Sequence, residues 1–213
     1  MQNKIKINEI FYSIQGEGPN TGLATTFIRL SGCPLRCHYC DTDYAFYQGK
    51  WLSIEDVMTT VKSLGCHRLL VTGGEPLAQI LCIRLLEKLC DEQYEVSLET
   101  SGSIDASKVD TRVMRVFDIK TPGSGEADKN HWPNFSALRQ QDVIKFVICS
   151  QDDYQWSIQT IQNKKLPAKH IYFSPSYHEL SATTLAEWML QDKLPFRLQS
   201  QLHKQLWGEE AGK

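Results

Sequence analysis

Apolar residues along the chain alternate between short β-rich runs and longer runs with helical spacing. Strands are predicted where β-branched and aromatic residues cluster, at 25–30, 67–72, 95–100, 114–119, 143–148, 170–174 and 196–201. Helices are predicted at 53–64, 78–90, 152–163 and 181–191, and the first of them has Ser53 as a candidate N-cap with Asp56 three residues later. Alternation of this kind predicts a parallel sheet with helices packed on it.

The length of the chain selects among parallel α/β folds. Its 213 residues are short for a full eightfold barrel, which typically takes ~250 residues. We therefore predict an α/β fold, a partial, open barrel of (β/α)6 type with mostly parallel strands. Residues 1–208 are expected to form one domain, and the acidic, Gly-containing end at 209–213 is expected to be a disordered tail.

Unusual polar groups recur just after the predicted strands. They read SGC at 31–33, GGE at 73–75, TSG at 100–102, KTPGSGE at 120–126, SPS at 174–176 and LHK at 202–204. In parallel α/β proteins the ligand crevice lies at the carboxyl ends of the strands. The candidate chemistry therefore falls where this architecture binds its ligands.

Composition narrows the possible partners and the compartment. Lys and Arg are scattered and the net charge is −2, so no broad basic surface indicates nucleic-acid binding. No run approaches eighteen apolar residues, and the start lacks the apolar stretch of a signal peptide, so we expect no membrane partner and a cytoplasmic location. Four of the seven cysteines, at 66, 82, 90 and 149, sit among apolar neighbours and are interpreted as buried thiols.

The other three cysteines are clustered. Cys33, Cys37 and Cys40 lie within eight positions. A structural zinc site takes four ligands in a tetrahedron, and His38, directly beside Cys37, is a poorly spaced fourth. An iron–sulfur cluster is the favoured interpretation. Four-iron clusters usually bind four cysteines, so three leave one iron open, and an open metal position is where a substrate or cofactor binds.

Two motifs carry a resemblance to the radical S-adenosylmethionine (radical SAM) superfamily. The spacing Cys33-x-x-x-Cys37-x-x-Cys40, with an aromatic residue before the last cysteine, resembles the cluster signature of that superfamily. The GGEP motif at 73–76 resembles its second signature, which contacts the methionine amino group of the cofactor. The resemblance implies a 4Fe–4S cluster whose open iron is chelated by S-adenosylmethionine.

Further segments resemble one family within that superfamily. The segments are QGEG at 15–18, IRLSGC at 28–33, CDT at 40–42 and QLHKQLWG at 201–208. Together they resemble the 7-carboxy-7-deazaguanine synthases, over about residues 8–208, although 103–113 and 124–142 carry little of the likeness. The resemblance implies conversion of 6-carboxy-5,6,7,8-tetrahydropterin to 7-carboxy-7-deazaguanine with loss of ammonia, a step towards queuosine. One departure is DIK at 118–120, where some members have Ser-Pro-Lys.

The resemblance also implies which residues hold which group. The 4Fe–4S cluster would bind Cys33, Cys37 and Cys40, and a Mg²⁺ ion would bind the Thr42 hydroxyl. Contacts to S-adenosylmethionine would come from Tyr39, Asp41, Gly74, Glu75, Asp118, Lys120, Ser174 and Ser176. Contacts to the pterin would come from Ile14, Gln15, Gly16, Glu17, Arg29, Thr72 and His203. The first four of these residues lie within a predicted ligand loop at 9–22.

For several of these residues, physical arguments support the assigned role or offer a different one. Arg29 lies in an otherwise apolar strand, where its planar guanidinium matches a carboxylate; the alternative is an outward-facing Arg paired with helix carboxylates. Mg²⁺ prefers oxygen ligands, so Asp41 or Asp43 could replace Thr42. Glu75 could instead be the N-terminal acid of a helix, and His203 a satisfied core histidine.

The resemblance further implies an electron donor such as flavodoxin and a homodimeric enzyme. Three rivals remain open. A glycyl-radical activating enzyme is similar in size and cluster, but the QGEG and QLHKQLWG segments argue against it. A zinc-binding interaction module would contain no reducible centre. An electron carrier would leave the GGEP motif unexplained.

Overall fold

The computed structural model describes residues 3–210 and 212, and a nine-stranded sheet lies at its centre. The strands are β1 (Ile5–Ile14), β2 (Ala24–Leu30), β3 (Lys50–Leu52), β4 (Arg68–Gly73), β5 (Glu95–Thr100), β6 (Met114–Ile119), β7 (Val143–Ile148), β8 (Ile171–Pro175) and β9 (Arg197–Leu198). The α-helices are α1 (Ile54–Leu64), α2 (Leu81–Asp91), α3 (Gln151–Lys164), α4 (Ala182–Gln191) and α5 (Leu202–Trp207).

The sheet is mostly parallel and open. Its strand order is β3-β1-β2-β4-β5-β6-β7-β8-β9. All neighbours from β2 to β9 pair in parallel, whereas β1 pairs antiparallel with both β2 and β3. Within the described residues the edge strands β3 and β9 do not pair with each other. The predicted partial, open α/β barrel is confirmed.

The two ends of the barrel differ from the sequence prediction. Residues 9–14, predicted to be part of a ligand loop, form the second half of β1 and pair with β2 from Glu9↔Arg29 to Ile14↔Ala24. The last predicted strand, 196–201, shortens to the two residues of β9. The chain then turns into α5, because Leu202 N–H donates to the Gly16 carbonyl across the open side, at 3.1 Å.

The predicted start of α1 is confirmed in atomic detail. Ser53 Oγ accepts a hydrogen bond from Asp56 N–H at 3.0 Å, and the Asp56 carboxylate accepts one from Ser53 N–H at 3.2 Å. These two bonds form the reciprocal capping box that the spacing predicted. Helix α2 begins three residues later than predicted, since Pro76–Ala78 first form a turn of 3-10 helix. Within the described residues no helix has the length and apolarity needed to cross a bilayer.

Alternation of apolar and polar side chains along the strands gives the sheet an apolar outer face and a polar inner face. The outer face packs on the helices and supplies the main core, which includes Ile28, Val71, Leu98, Phe117, Phe146 and Phe173. Successive side chains of a strand point to opposite faces. The residues adjacent to these core positions therefore point into the barrel, and they are Arg29, Thr72, Glu99, Asp118, Lys145 and Ser174. The fold thus places one of these polar residues on each of the strands β2 and β4–β8.

A buried ion pair holds the amino ends of two central strands. Asp142 is fully buried and Arg115 is 5% exposed, and Arg115 Nε lies 3.2 Å from both carboxylate oxygens. The backbone N–H groups of Arg115 and Arg139 also donate to this carboxylate, at 3.1 and 2.8 Å. Both charges are therefore paired and hydrogen-bonded, as buried charges must be.

We expect Asp142→Asn to lower the free energy of unfolding by about 3–5 kcal/mol, because it removes the carboxylate charge that faces the buried Arg115 guanidinium. Urea unfolding followed by circular dichroism would measure the loss. The control is Asp128→Asn, which removes one side of an exposed pair with Lys129 and should change stability by less than about 0.5 kcal/mol. Equal midpoints for the two variants would contradict this account of the buried pair.

Candidate functional site

A cavity of about 490 Å³ is lined by residues from the carboxyl ends of the parallel strands. It brings together nearly every residue assigned from the sequence. The predicted residues on its lining are Ile14, Gln15, Gly16, Glu17, Arg29, Cys33, Cys37, Tyr39, Cys40, Asp41, Thr42, Thr72, Gly74, Asp118, Lys120, Ser174, Ser176 and His203. Glu75 is the predicted residue that does not share this position.

The three clustered cysteines follow β2 in a loop that lines one wall of the cavity. All three are free and partly buried. Burial raises the pKa of each thiol, and that of Cys37 reaches about 11. The thiolate is the metal ligand, so these sulfurs become good ligands only beside a metal charge. Within the described residues no three His, Cys, Asp or Glu side chains converge on a single metal ion.

Glu75 lies behind the cavity rather than on its lining. The residue is fully buried. Its carboxylate accepts hydrogen bonds from Leu77 N–H at 2.9 Å, Thr100 Oγ1 at 2.9 Å and Ser101 N–H at 2.7 Å. These bonds tie the GGE loop after β4 to the end of β5. The side chain thereby supports Thr100 and Ser101, which do line the cavity.

Arg29 faces the barrel interior and pairs with a strand rather than with a helix. Its Nε lies 2.7 Å from Glu9 Oε1, and the Arg29 side chain is 15% exposed. Tyr44 Oη donates to the same carboxylate at 3.0 Å. This contact occupies one edge of the guanidinium. Within the described part of the chain the two terminal nitrogens have no protein acceptor, so Arg29 can still bind an anion with its fork.

Two lysines and one aspartate form a charged group on β6 and β7. Asp118 Oδ2 lies 3.2 Å from Lys120 Nζ and 3.4 Å from Lys145 Nζ. Burial alone would lower the pKa of Lys120, but the charges of Asp118 and Cys37 outweigh it and raise that pKa. Lys120 Nζ also lies 5.8 Å from the centre of the Tyr39 ring, within cation–π range.

Two polar atoms of this region are buried without a hydrogen-bond partner in the described residues. They are Tyr39 Oη and Asp118 Oδ1. Native proteins rarely leave buried polar atoms unsatisfied, because the lost hydration is not replaced. Both residues line the cavity, so these atoms mark positions where a bound ligand would complete the hydrogen bonding.

Glu99 and Lys145 belong to the site but were missed in the sequence. Lys145 lies inside the apolar strand β7 and Glu99 lies in β5, most of whose residues are polar, and both line the cavity. Thr72 Oγ1 donates to Glu99 Oε2 at 3.0 Å. Burial raises the pKa of Glu99 despite the nearby Lys145 charge. The feature that identified Arg29 was available for Lys145, whose charge interrupts an apolar strand, but not for Glu99, because β5 alternates polar and apolar residues.

The oxygen-rich loop after the cysteines contains the predicted magnesium ligand. Thr42 Oγ1 donates to Asp41 Oδ1 at 2.8 Å, and both residues line the cavity. Asp43 begins a turn of 3-10 helix beyond them and is exposed. Hydroxyl and carboxylate oxygens are the ligands that Mg²⁺ uses, usually with several waters.

The remaining predicted residues come from the end of β8, from α5 and from the loop after β1. Ser174 and Ser176, at the end of β8, are buried in the cavity wall. His203 comes from α5, and burial lowers its pKa, so the ring is neutral near neutral pH. A Cβ on Gly16 would lie 2.1 Å from His203 Nδ1. Only glycine at position 16 therefore allows α5 to approach the loop this closely.

Comparison with known proteins places this site in a family. A profile described as the radical SAM superfamily matches residues 27–116. The 7-carboxy-7-deazaguanine synthase of Chlorobaculum tepidum is 42% identical and covers 97% of this chain and 96% of its own length. The enzyme of the same name from Koribacter versatilis is 35% identical, covering 97% of this chain and 99% of its own length.

Solved structures show the same fold. QueE from Escherichia coli superposes with a TM-score of 0.71 at 24% identity, covering 94% of this chain and 95% of its own. Streptococcus suis SuiB bound to S-adenosylmethionine has a TM-score of 0.54 at 12% identity, covering 79% of this chain and 45% of its own. The full-length relatives, the superfamily match and the assembled cavity agree, and the chain belongs to the 7-carboxy-7-deazaguanine synthase family of radical SAM enzymes.

Proposed function

We propose that the cavity binds 6-carboxy-5,6,7,8-tetrahydropterin and that the enzyme, a carbon–nitrogen lyase, contracts its ring to 7-carboxy-7-deazaguanine with loss of ammonia. The observation that carries this proposal is the row of polar side chains inside the barrel, which faces the loop of the three cysteines across one cavity. The row offers a cation for the substrate carboxylate and a carboxylate for the amino-pyrimidine edge of the ring.

The residues fit the cofactors of the superfamily, a 4Fe–4S cluster and S-adenosylmethionine. A Cβ on Gly74 would lie 2.4 Å from the Gly32 carbonyl oxygen and 2.7 Å from Cys33 Cβ. The GGE loop thus packs directly on the first cysteine, and the three cysteines line the same cavity as Tyr39 and Asp118. When bound, the cluster and S-adenosylmethionine supply the electron and the hydrogen-abstracting radical on which the reaction depends.

The contacts to S-adenosylmethionine are proposed from the polar groups on this wall. Asp118 Oδ1 and Tyr39 Oη, both buried and unpartnered among the described residues, would take hydrogen bonds from the ligand or donate to it. Lys120 beside them would meet its carboxylate. Ser174 and Ser176 would complete the wall at the end of β8, and Gly74 would contribute through its backbone.

The substrate would lie along the row of inner-face residues. Arg29 on β2 would bind the carboxylate, and Thr72 on β4 would hydrogen-bond the ring. Glu99 on β5 would accept from the two donors of the pyrimidine edge, the 2-amino group and the adjacent ring N–H. Neighbouring strands are about 4.8 Å apart. Arg29 and Glu99 are thus separated by about two strand spacings, a span suited to a bicyclic ring.

The ends of the chain would close the site over the ring. Backbone groups of residues 14–16 would face the pterin, and neutral His203 would approach from α5. Enclosure of this kind excludes water, which protects a reactive intermediate from side reactions. The Thr42 hydroxyl would hold Mg²⁺, the third cofactor, which would supply a positive charge to polarise the carboxylated substrate.

The partners and organisation of the enzyme are proposed from the family resemblance. An electron donor such as flavodoxin would reduce the cluster, and the working enzyme would be a cytoplasmic homodimer. Residues 1–208 would act as a single radical SAM domain. For the proposed tail, Ala211 and Lys213 lie outside the described residues, while Glu209 pairs with His178 at 2.8 Å and with Lys204 at 3.6 Å.

The reaction itself is the first test. Anaerobically reconstituted, dithionite-reduced protein is expected to convert 6-carboxytetrahydropterin to the deazapurine acid when S-adenosylmethionine and Mg²⁺ are present, with little net consumption of S-adenosylmethionine. Mass spectrometry of the product and chromatography of the cofactor measure both. Cleavage of S-adenosylmethionine without deazapurine would reject the substrate, and a colourless protein containing zinc would reject the radical SAM assignment for this chain.

We expect Gly74→Ala to reduce the iron bound per chain several-fold, because the added methyl group must displace Gly32 and Cys33. Iron and sulfide analysis after reconstitution measures the effect. Gly65→Ala is the control: it adds a methyl group in open space at the end of α1, where the left-handed backbone should cost about 1 kcal/mol of stability. Equal iron contents in the two variants would contradict the proposed packing.

We expect Glu99→Gln to raise the KM for the pterin about 10- to 100-fold, because the amide presents a donor where the ring needs a second acceptor. In the unsubstituted enzyme, affinity should weaken as the pH falls through the raised pKa of Glu99, since protonation removes the same acceptor. The variant should lack this pH dependence. Steady-state kinetics from acid to neutral pH measures both, with exposed Glu87→Gln as the control. An unchanged KM would exclude Glu99 from the binding site.

A further inference from the structure

The open side of the barrel is crossed by two short segments of chain. One is the loop at residues 15–18 after β1, and the other, residues 199–204, runs from the end of β9 into the first turn of α5. Gly18 N–H donates to Gln199 Oε1 at 2.8 Å, and Leu202 N–H donates to the Gly16 carbonyl at 3.1 Å. These bonds join the first strand of the fold to its last helix at a place where no strand pairing does so within the described residues.

Glu17 lies at the centre of this crossing and both of its carboxylate oxygens are occupied. Oε1 accepts from Gln201 Nε2 at 2.8 Å. Oε2 accepts from Gln199 Nε2 at 3.2 Å and from Lys145 Nζ at 2.8 Å. The side chain is 15% exposed. A carboxylate that already accepts from three protein donors has little capacity left for a ligand.

The charge of Glu17 is firmly held. Burial alone would raise its pKa, but the charge and hydrogen bond of Lys145, with the bond from Gln201, lower the pKa to about 2. The Lys145 side chain is 13% exposed and also faces Asp118. The carboxylate is therefore ionised throughout the working range of pH, and its bonds to the two glutamines are charge-assisted.

We propose that Glu17 is a positioning residue that latches residues 199–204 across the open side of the barrel and so places His203 at the cavity. The inference rests on the proposed function only in assigning His203 to the substrate side. It differs from the direct pterin contact that the family resemblance implies for Glu17. The close packing of His203 on Gly16 means that any displacement of the latch moves the imidazole as well.

Replacing the carboxylate with an amide should open the latch. In Glu17→Gln one oxygen can still accept from Gln201. The other atom becomes an NH₂ donor facing two donors, Gln199 Nε2 and Lys145 Nζ. Unpaired buried donors are costly, so we expect the 199–207 segment to separate from the loop more often.

A swap of the two groups distinguishes a latch from a ligand. In Glu17→Gln/Gln199→Glu the carboxylate sits at 199, where it can still accept from Gly18 N–H and now accepts from the amide at 17. Lys145 and Gln199 both donate to Glu17 Oε2 in the native arrangement, so the swap moves the negative charge by one side chain and keeps it beside this oxygen position. If Glu17 acts as a latch, the double variant should restore the closed segment. If Glu17 contacts the pterin directly, that contact is lost in both the single and the double variant.

Hydrogen exchange on the cofactor-free chain tests the latch without any reaction. We expect the amides of 199–207 to exchange about tenfold faster in Glu17→Gln than in the native chain, and to return towards the native rate in the swap. The central strands should be unchanged. Asp142→Asn is the matched control: it removes a buried carboxylate from the other end of the strands and should not affect 199–207 selectively.

Kinetics of the loaded enzyme give a second reading. The single variant should lower kcat/KM for the pterin about tenfold or more, and the swap should recover most of that loss. Native exchange at 199–207 in Glu17→Gln would overturn the proposal, and so would a swap that closes the segment but restores no activity. If the native enzyme makes no deazapurine, the proposed function fails, while the exchange result still decides whether the latch exists.

Discussion

The site depends on the ion pairs made by the buried ammonium group of Lys145. It contacts Glu17 from the first loop and Asp118 from the neighbouring strand, at 2.8 and 3.4 Å. Burial would lower the pKa of this lysine, but the surrounding charges of Glu17, Asp118 and Glu99 outweigh burial and raise it well above its usual value. One cation thereby stabilises three carboxylates in an interior where an unpaired charge would be expensive. Two of those carboxylates, Asp118 and Glu99, keep oxygens available to ligands.

The ion pair of Lys145 with Glu17 also helps to close the side of the barrel where the edge strands do not pair. A closed barrel joins its first and last strands by backbone hydrogen bonds, which leave the interior filled with side chains. Here β3 and β9 stay apart among the described residues, and the gap is crossed by side-chain contacts centred on Glu17. Such contacts are fewer and more easily broken than a strand ladder, so the interior keeps a cavity of about 490 Å³. An open interior and a polar closure are consequences of one topology.

The cysteine loop obeys a different constraint, which is close packing. Gly74 has no side chain because the backbone of Gly32 and the Cβ of Cys33 occupy the space where one would be. This contact fixes the start of the loop against β4. The thiols themselves are held in a setting that raises their pKa, so they favour the thiolate only in the presence of metal. The fold sets the position of the cysteine loop, and a bound metal would favour the thiolate form that makes the cysteines good ligands.

The sequence by itself predicted strands β2 and β4–β9, their order with helices α1–α4, and most of the residues that meet at the cavity. Strand interiors such as Val143–Ile148 carry their own periodicity, and cysteine spacing is a local property of the chain. The pairing of residues 9–14 with β2 was not predictable from local pattern, because antiparallel pairing depends on a partner across the fold. The roles of Glu99 and Lys145 depend on groups that the fold brings to them: Lys145 lies 2.8 Å from Glu17 and 3.4 Å from Asp118, and Glu99 accepts a hydrogen bond from Thr72. Only the tertiary structure decided that Glu75 supports the cavity wall through Thr100 and Ser101. It also decided that Glu17 binds Gln199, Gln201 and Lys145, since partners more than a hundred residues away in the chain are chosen by the packing of the whole sheet.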